Sequence, residues 1–337
     1  MPTGKNWTST SRRGQQTSGG ESWKPVCPVP TISQTRVCLC NTRDTRWLQD
    51  PSLFYFDLGE ATESHTPAPG TSYADTGKLE ALAIYCMRKK LIAANWKMNK
   101  TPDDAVAFVR EFTRLLAGCP QDRDEIAILP PFVSLSATIE AARGTKIAVG
   151  AQNMYWQKQG AFTGEISAAM LAAIGCQQVM IGHSERRQYF GETDIDVNRK
   201  LRVALAEKLK AIVCVGELNE ERQSGLTEDV LRRQLHAALR EIPVADVENF
   251  CIAYEPVWAI GTGKTATPEI ACKAHAFIRS ESAKVIGDGP AARLRILYGG
   301  SVKPENATAL MSQQEIDGAL VGGASLNPES FAAIVKW

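Results

Sequence analysis

The chain has 337 residues, of which 38 are basic and 37 acidic, for a formal net charge of +1. This length suits one large domain or two ordinary ones. The near-neutral charge gives no electrostatic case for a nucleic acid or an anionic membrane as a partner. No apolar run approaches the roughly eighteen residues that cross a bilayer. We therefore expect a soluble protein.

The first 86 residues differ in composition from the rest, because 20 of them are Ser or Thr and 7 are Pro. They show no apolar periodicity, so they cannot bury enough surface to offset the loss of chain entropy. We predict a low-complexity, disordered extension over residues 1–86 and one folded domain over residues 87–337. The alternatives are a targeting segment, a true start at Met87, and an extension that docks on the folded domain.

From Met87 onward, short β-branched runs alternate with longer helical patterns. Strands are predicted at Leu91–Ala94, Glu125–Leu129, Ile147–Gln152, Gln178–Ile181, Ala211–Val215, Phe250–Tyr254, Arg295–Tyr298 and Gly318–Val321. Helices are predicted at Asp103–Ala117, Ser134–Arg143, Val197–Glu207, Thr227–Arg240, Pro268–Ser282, Pro304–Met311 and Pro328–Val335. Eight strands at about 31 residues per unit predict a (β/α)₈ barrel. An open doubly wound sheet is the rival, but no Gly-x-Gly-x-x-Gly follows a strand.

Two helix starts and one helix end are marked by their residues. Thr101-Pro102-Asp103-Asp104 and Thr267-Pro268-Glu269 each offer an N-cap, a proline at the first helical position and an acid in the first turn. Before the fifth strand, Ala206–Lys210 has no glycine where a helix commonly ends in one. A residue with a side chain forced to positive φ there costs on the order of 1 kcal/mol.

The first predicted strand runs into Asn95-Trp96-Lys97-Met98-Asn99. All strands of a parallel barrel open at the same face, so polar residues at their C-terminal ends converge there. The strand period of two aims Asn95 and Lys97 in one direction and Trp96 in the other. A cation beside an amide at the barrel mouth suits an anionic substrate. The alternative is a solvated lysine at a strand end.

The fourth strand leads to Gly182-His183-Ser184-Glu185. Ser184 and Glu185 predict the start of a short helix, whose N-terminal dipole faces the imidazole. A positive dipole end disfavours imidazolium, so we expect His183 to stay neutral and to donate a hydrogen bond. A lone histidine is more often structural. The other histidines are read as surface groups in the extension or in helical patterns: His65, His236 and His275.

The sixth strand, Phe250–Tyr254, runs into Glu255, Pro256 and the apolar segment Val257–Ile260. Pro256 cannot donate to a sheet ladder, so the strand stops there and presents the Glu255 carboxylate at the barrel mouth. An apolar segment followed by Gly261-Thr262-Gly263 indicates a lid that excludes water, with Glu255 as an active-site base beneath it. The alternative is an ordinary acid at a strand end.

Gly-rich turns follow the last two strands, with Gly299-Gly300-Ser301 after the seventh and Gly322-Gly323 after the eighth. Backbone without side chains lets N–H groups close on phosphate oxygens, and many barrels bind phosphate after strands seven and eight. A single Gly-Gly pair carries little information, but two at these positions indicate a phosphate site. We name four donors to the phosphate: Gly261, Ser301, Gly322 and Gly323.

The third unit carries a long loop, in which Gln152–Trp156 is followed by Gly160–Ser167 around an apolar and aromatic centre. Such a loop is either an interface or a flap.

Nine cysteines occur in the chain, and those of the folded domain have no Cys-x-x-Cys spacing. Cys214 and Cys251 lie in apolar strand runs, where a thiol behaves as a small hydrophobe. We infer a reducing compartment and no structural metal.

Three of these strings resemble motifs of triosephosphate isomerases: Ala93–Asn99, Gly182–Arg187 and Ala253–Ala266. The resemblance extends over Met87 to Trp337 and meets the motifs in the same order. It implies a TIM barrel that is the catalytic domain, preceded by the disordered extension. It also implies a cofactor-independent isomerase, which interconverts dihydroxyacetone phosphate and D-glyceraldehyde 3-phosphate through an enediol(ate).

The resemblance implies a role for each residue at the barrel mouth. Glu255 is the general base, and His183 is the neutral electrophile that polarises the substrate carbonyl. Lys97 and Asn95 stabilise the charge of the enediolate, while Glu185 holds Lys97 in place by an ion pair.

The resemblance further implies a cytoplasmic homodimer, in which Thr163 of the long loop reaches into the partner subunit's active site. Two rival functions remain. Another phosphate-binding barrel enzyme, such as a sugar-phosphate epimerase or indole-glycerol-phosphate synthase, shares the Gly turns but is not expected to share the other motifs. A catalytically inactive binding barrel is expected to have lost at least one of Lys97, His183 or Glu255.

Overall fold

Eight parallel strands close into a barrel in the part of the chain that the computed structural model describes, residues 88–120, 123–260 and 266–337. Each strand pairs with its neighbours in sequence, and β8 pairs with β1. The strands are β1 (Leu91–Asn95), β2 (Glu125–Leu129), β3 (Ile147–Ala151), β4 (Gln178–Ile181), β5 (Lys210–Val215), β6 (Phe250–Tyr254), β7 (Arg295–Tyr298) and β8 (Gly318–Val321). Every strand end lies within one residue of its prediction, and the (β/α)₈ barrel is confirmed. The extension predicted at 1–86 lies outside the described residues.

Helices lie between the strands of the described chain. They are α1 (Pro102–Leu115), α2 (Phe132–Ala141), α3 (Ala168–Ala173), α4 (Ser184–Phe190), α5 (Asp194–Ala206), α6 (Asn219–Gln223), α7 (Thr227–Leu239), α8 (Pro268–Ile286), α9 (Asp288–Arg293), α10 (Pro304–Met311) and α11 (Pro328–Lys336). All the helices predicted from periodicity are present, and their ends lie within four residues of the predictions. The sequence missed α3, α6 and α9, because five or six residues are too few to display a period of 3.6.

Two apolar layers hold the barrel together, one inside the strands and one between the strands and the helices. Along β1, Leu91 and Ala93 face the interior, whereas Ile92 and Ala94 face the helices. Trp96 continues the outer layer and is fully buried. Because both faces of every strand are covered, the strands read as continuous apolar runs, which explains why their ends could be predicted closely.

Glycine is required at the seam where the barrel closes. Gly318, the first residue of β8, has a φ of 139°, and a Cβ there would lie 2.0 Å from the carbonyl oxygen of Leu91 in β1. A side chain would therefore push the two strands apart. The absence of a Cβ lets their backbones approach closely enough to pair.

The predicted helix starts are both present. The Thr101 hydroxyl accepts a hydrogen bond from the Asp104 N–H at 3.4 Å, and the Asp104 carboxylate accepts one from the Thr101 N–H at 3.0 Å. This is a complete capping box at the start of α1. At α8, the Thr267 hydroxyl caps the helix by accepting from the Ile270 N–H at 3.4 Å. Such caps each contribute about 1 kcal/mol to helix stability.

The helix end without glycine is strained in the way that its sequence predicts. Lys208, after α5, has a φ of 61°, in the left-handed region. Lys208→Gly is expected to raise stability by about 1 kcal/mol and the melting temperature by roughly 2–4 °C. Lys208→Ala is the control, because it removes the same side chain but keeps a Cβ in the strained conformation. Equal melting temperatures for the two variants would contradict this account of the strain.

The prediction that His275 lies at the surface is wrong. Its side chain is fully buried, and its Nδ1 lies 2.9 Å from the carbonyl oxygen of Glu315, to which it donates. His275 falls on the apolar stripe of α8 between Ala271 and Ile278, which are both fully buried. His236 on α7 has a side chain that is 42% exposed, as the prediction requires. His65 lies outside the described residues.

Candidate active site

The C-terminal ends of the strands surround a cavity of about 420 Å³. Residues from five strand ends line it, and they include the predicted catalytic and phosphate-binding residues that the structure describes: Asn95, Lys97, His183, Glu255, Ser301, Gly322 and Gly323. Gly261 lies outside the described residues. Five loops far apart in sequence thus bring a carboxylate, an imidazole, an ammonium group and two glycine turns to one place.

Glu255 lies at the base of this cavity and is 2% exposed. One carboxylate oxygen, Oε1, lies 2.8 Å from Nε2 of His183. The other, Oε2, accepts a hydrogen bond from the backbone N–H of Ser184 at 2.9 Å. Burial raises the pKa of Glu255. The contacts with His183 and the Ser184 amide, together with the charge of Lys97, lower it by more, so the pKa lies below its ordinary value. Glu255 is therefore an ionised carboxylate with both oxygens engaged.

The Cys214 thiol is a further group beside Glu255 that the sequence did not assign to the site. Its side chain is fully buried in β5, close enough to the Glu255 carboxylate to be influenced by its charge. Burial and the nearby negative charge raise the pKa of Cys214 well above its ordinary value, so it remains a neutral thiol. It therefore packs as a small apolar side chain in the inner layer of the barrel, as predicted.

His183 is held from both sides. At the N-terminus of α4, the Glu185 N–H donates to Nδ1 at 3.2 Å, so Nε2 carries the hydrogen that faces Glu255. Burial lowers the pKa of His183, but the carboxylates of Glu255 and, to a lesser extent, Glu185 together raise it by more, so the pKa lies above its ordinary value in the unliganded protein. The expected lowering of the His183 pKa by the helix N-terminus is thus wrong for this state, although the hydrogen bond accepted by Nδ1 is one that only the neutral imidazole can make. That expectation considered the helix and left out the carboxylates.

Removing the charge of Glu255 is expected to reverse the shift of the His183 pKa. In Glu255→Gln the largest raising influence is gone, while burial and the Glu185 amide still lower the pKa against the weaker influence of the Glu185 carboxylate. The pKa should therefore fall below the ordinary value of about 6.5. Imidazole NMR across a pH series measures it directly. Glu140→Gln, at an exposed acid on α2, is the control and should leave the His183 pKa unchanged. An unchanged or higher His183 pKa in Glu255→Gln would contradict the assignment.

Lys97 reaches the cavity by a strained turn and not by continuing the strand. β1 ends at Asn95, and Lys97 has a φ of 52°, which corrects the prediction that the strand period aims its side chain. The Asn95 side chain accepts from the Lys97 N–H at 3.0 Å, and Gln152 donates to the Lys97 carbonyl at 2.9 Å. The Lys97 ammonium group forms the predicted ion pair with Glu185. These contacts offset a backbone strain of about 1–2 kcal/mol.

The two glycine turns serve different purposes. A Cβ at Gly300 would lie 2.2 Å from the hydroxyl of Tyr298, so packing requires glycine there. A Cβ at Gly323 would meet no other atom within 4 Å, and one at Gly322 would lie 3.5 Å from the Lys97 side chain. Packing does not require glycine at 323. An open backbone beside a lysine suits the approach of an anionic ligand.

The base of the predicted lid is anchored by Glu217, a residue that the sequence analysis missed. Glu217 is fully buried, and its Oε1 accepts from Trp258 Nε1 at 2.9 Å and from the Tyr254 hydroxyl at 3.2 Å. Val257–Ala259 forms a short 3₁₀-helix, and Ile260 lines the cavity. Glu217 follows β5 as Glu255 follows β6. The same strand-end reasoning could therefore have found it.

The long loop of the third unit is closed at its base and leaves Thr163 exposed. The Tyr155 N–H donates to the Ile166 carbonyl at 2.8 Å, and the Tyr155 and Phe162 rings pack with centroids 4.7 Å apart. Phe162 is 38% exposed. Thr163 does not line the cavity. The loop therefore presents an aromatic and polar tip to its surroundings.

No group of three or more His, Cys, Asp and Glu side chains in the described ranges is placed to hold a metal ion. No helix among the described elements has the length and apolar character of a membrane span.

Comparison with known proteins decides the family. A family model described as triosephosphate isomerase matches residues 90–337. The chain belongs to the triosephosphate isomerase family. A triosephosphate isomerase of Solibacter usitatus is 53% identical over 251 residues, which cover 74% of this chain and 100% of that relative. One of Chloroflexus aurantiacus is 54% identical over 252 residues, with the same coverage of both chains. Triosephosphate isomerases therefore match the barrel over their whole length.

Proposed function

We propose that Glu255, His183, Lys97 and Asn95 carry out the reaction of the triosephosphate isomerase family. The enzyme interconverts dihydroxyacetone phosphate and D-glyceraldehyde 3-phosphate through an enediol(ate), a step of glycolysis and gluconeogenesis. One observation carries the assignment of roles. The Glu255 carboxylate lies 2.8 Å from the His183 imidazole, inside a cavity that Lys97 and both glycine turns also line. The catalytic domain of this proposal is residues 87–337.

In this proposal Glu255 removes the carbon-bound proton next to the substrate carbonyl. An ionised, buried carboxylate is a suitable general base, because it is desolvated and already deprotonated. Both of its oxygens are hydrogen-bonded, to His183 and to the Ser184 amide. Glu255 must therefore exchange at least one of these bonds for contact with a substrate carbon, so catalysis includes a reorientation of this side chain.

His183, Lys97 and Asn95 act in the proposal on the substrate oxygens. When the Glu255 carboxylate turns to the substrate, burial, the Glu185 amide and the Lys97 charge favour the neutral imidazole, and only the Glu185 carboxylate, 3.6 Å from Nδ1, opposes them. Neutral His183 then donates its Nε2 hydrogen to the carbonyl oxygen. The Lys97 charge and the Asn95 amide stabilise the negative charge that develops there, and such fixed charges and dipoles supply much of the catalysis in buried sites.

Phosphate binding is assigned to backbone donors at the barrel mouth. Ser301, Gly322 and Gly323 line the cavity, and the open backbone at Gly323 supports this role. Gly261 belongs to the same proposal on its sequence motif. A phosphate held here fixes the reacting carbons relative to Glu255. Binding energy from the phosphate can then serve to orient the reacting carbons.

A coupled assay on the purified full chain tests the function. We expect turnover of both triose phosphates and none of a pentulose phosphate. Turnover of the pentulose phosphate alone would favour a sugar-phosphate epimerase. Binding of triose phosphate without turnover would favour an inactive binding barrel.

We also assign this enzyme a homodimeric state, in which Thr163 enters the partner subunit's active site. The proposal is supported by exposed apolar side chains near the cavity and on the loop, such as Met98 at 96% and Phe162 at 38% exposure. Light scattering after size exclusion measures the state. A monomeric mass for the active protein would rule the dimer out. Thr163→Arg should yield monomers with reduced activity.

The cytoplasm is the compartment that we assign to the enzyme. Cysteines 119, 176, 214, 251 and 272 all carry free thiols, which supports a reducing environment. Imaging a fluorescent fusion of the full chain tests the assignment. A signal confined to an organelle would contradict it.

A further inference from the structure

The end of the barrel opposite the active site holds a second cavity, of about 310 Å³. We call it the floor cavity. Its lining comes from residues at or just before the N-terminal ends of strands: Arg88, Lys89, Glu125, Lys210, Val247, Glu248, Arg293 and Arg295. Five of these residues are cationic and two are acidic. The floor cavity is therefore strongly positive, whereas the whole chain has a net charge of +1.

The acids of the floor cavity are already shared among its cations. Glu125 lies 2.9 Å from Arg295 and 3.7 Å from Lys210, so one carboxylate faces two positive charges. Glu248 lies 3.4 Å from Arg293, and its side chain is 74% exposed, so water weakens that pair. Five cations against two carboxylates leave an excess of +3 on the lining.

The pair that Arg88 makes does not remove this excess. Arg88 contacts Asp317 at 2.8 Å, and Asp317 also contacts Arg279 at 3.0 Å. Arg279 has Glu315 as a further partner at 2.8 Å. Adding these three residues, Asp317, Arg279 and Glu315, to the lining gives six cations and four carboxylates, an excess of +2. Glu125 and Asp317 thus each face two cations. If these ion pairs served only to stabilise this end of the barrel, we would expect their charges to balance, because excess like charges repel one another.

We propose that the floor cavity binds a small polyanion whose charges are carried by a phosphate chain of two or three groups. Guanidinium groups match phosphate oxygens with paired N–H donors, and the lining offers Arg293 and Arg295 for this purpose. The third, Arg88, adds its charge, while its guanidinium donates to Asp317 and to two backbone carbonyls. Their depth is graded. The Arg295 side chain is 14% exposed and lies at the base, whereas Arg293 and Lys210 are 43% and 49% exposed and lie at the mouth. The volume accommodates a triphosphate chain but leaves little room for a second large group.

Calorimetric titration of the full chain with tripolyphosphate tests the proposal. We expect binding that weakens with salt, as contacts between charges do. In Lys210→Gln/Arg293→Gln the affinity should fall at least tenfold, because two charges at the mouth are lost. Both side chains are half exposed, so the fold should survive. Lys158→Gln/Arg143→Gln is the matched control. It removes one Lys and one Arg that are paired on the surface elsewhere, and it should bind like the native chain.

Kinetics separate the floor cavity from the active site, which also takes phosphate in the proposed function. Tripolyphosphate that competes with triose phosphate, and does so equally in the double variant, would place its binding in the active site and overturn the proposal. Equal affinity of the native chain and the double variant would overturn it as well. So would citrate that binds as tightly as tripolyphosphate, because the ligand would then not be a phosphate chain. The titration needs no isomerase activity, so it stands or fails independently of the proposed function.

The source of the phosphate chain is resolved by comparing two ligands. Tighter binding of ATP than of tripolyphosphate supports a nucleotide, with the base lying outside the cavity mouth. Tighter binding of tripolyphosphate supports a free polyphosphate. In either case the affinity for the tighter ligand must fall in Lys210→Gln/Arg293→Gln. A nucleotide affinity that is unchanged in the double variant would contradict the assignment to the floor cavity.

Discussion

Glu255→Gln is expected to lower kcat for triose phosphate isomerisation by roughly 10²–10⁴-fold or more, the size of a general-base contribution. The amide keeps the shape of the carboxylate and can still accept from the Ser184 N–H, which Glu255 contacts at 2.9 Å. It cannot take up a carbon-bound proton. The loss should therefore fall on kcat, while the melting temperature and phosphate binding change little.

The control for Glu255→Gln is Glu140→Gln, the same chemical change at an exposed acid on α2, paired with Arg143. It should retain native kcat and KM. A Glu255→Gln enzyme with kcat within about threefold of native would show that another group removes the proton. A loss confined to KM would instead indicate that Glu255 binds the substrate without acting as the base.

Much of the site could be predicted because a parallel barrel gathers its strand ends. The acid after Phe250–Tyr254, the histidine after β4 and the lysine after β1 needed only the strand ends and the topology to be placed around one cavity. The glycine turns at Gly300 and Gly323 could be placed at the same cavity for the same reason. Whether a turn packs against protein, as Gly300 does against the Tyr298 hydroxyl, or leaves open space, as Gly323 does, depends on packing that no local pattern encodes.

The contacts between these residues could not be predicted. Hydrophobic periodicity says nothing about a positive φ at Lys97, which is held by hydrogen bonds from side chains on β1 and after β3. The pKa of His183 likewise depends on a carboxylate that comes from a different strand. Reasoning from the local helix dipole alone therefore gave the wrong direction for the unliganded protein.

His275 illustrates how residue type can mislead where position does not. Histidines in helices are often solvated, but Ala271, His275 and Ile278 recur at the spacing of one helix face, and all three are buried. Burial lowers the pKa of His275 to about 4, from an ordinary value of 6.5. The folded protein therefore holds this imidazole neutral at pH values where the unfolded chain protonates it.

This buried histidine is expected to make the fold sensitive to acid. Between about pH 6.5 and pH 4 the unfolded chain binds one proton more than the folded chain at this position, so the free energy of unfolding falls as pH falls. The contribution is complete above pH 6.5, and its loss reaches on the order of 3 kcal/mol near pH 4. Imidazole NMR should place the His275 pKa near 4, and urea unfolding at a series of pH values should reveal the slope.

His275→Asn separates protonation from packing. Asparagine keeps a donor for the Glu315 carbonyl but cannot titrate, so the variant should be less stable at pH 7 and lose about one proton's worth of slope between pH 6.5 and 4. Ile278→Val is the control on the same helix face. It should cost about 0.5–1.5 kcal/mol at every pH and keep the native slope. If His275→Asn keeps the native slope too, other groups cause the acid sensitivity and His275 titrates normally.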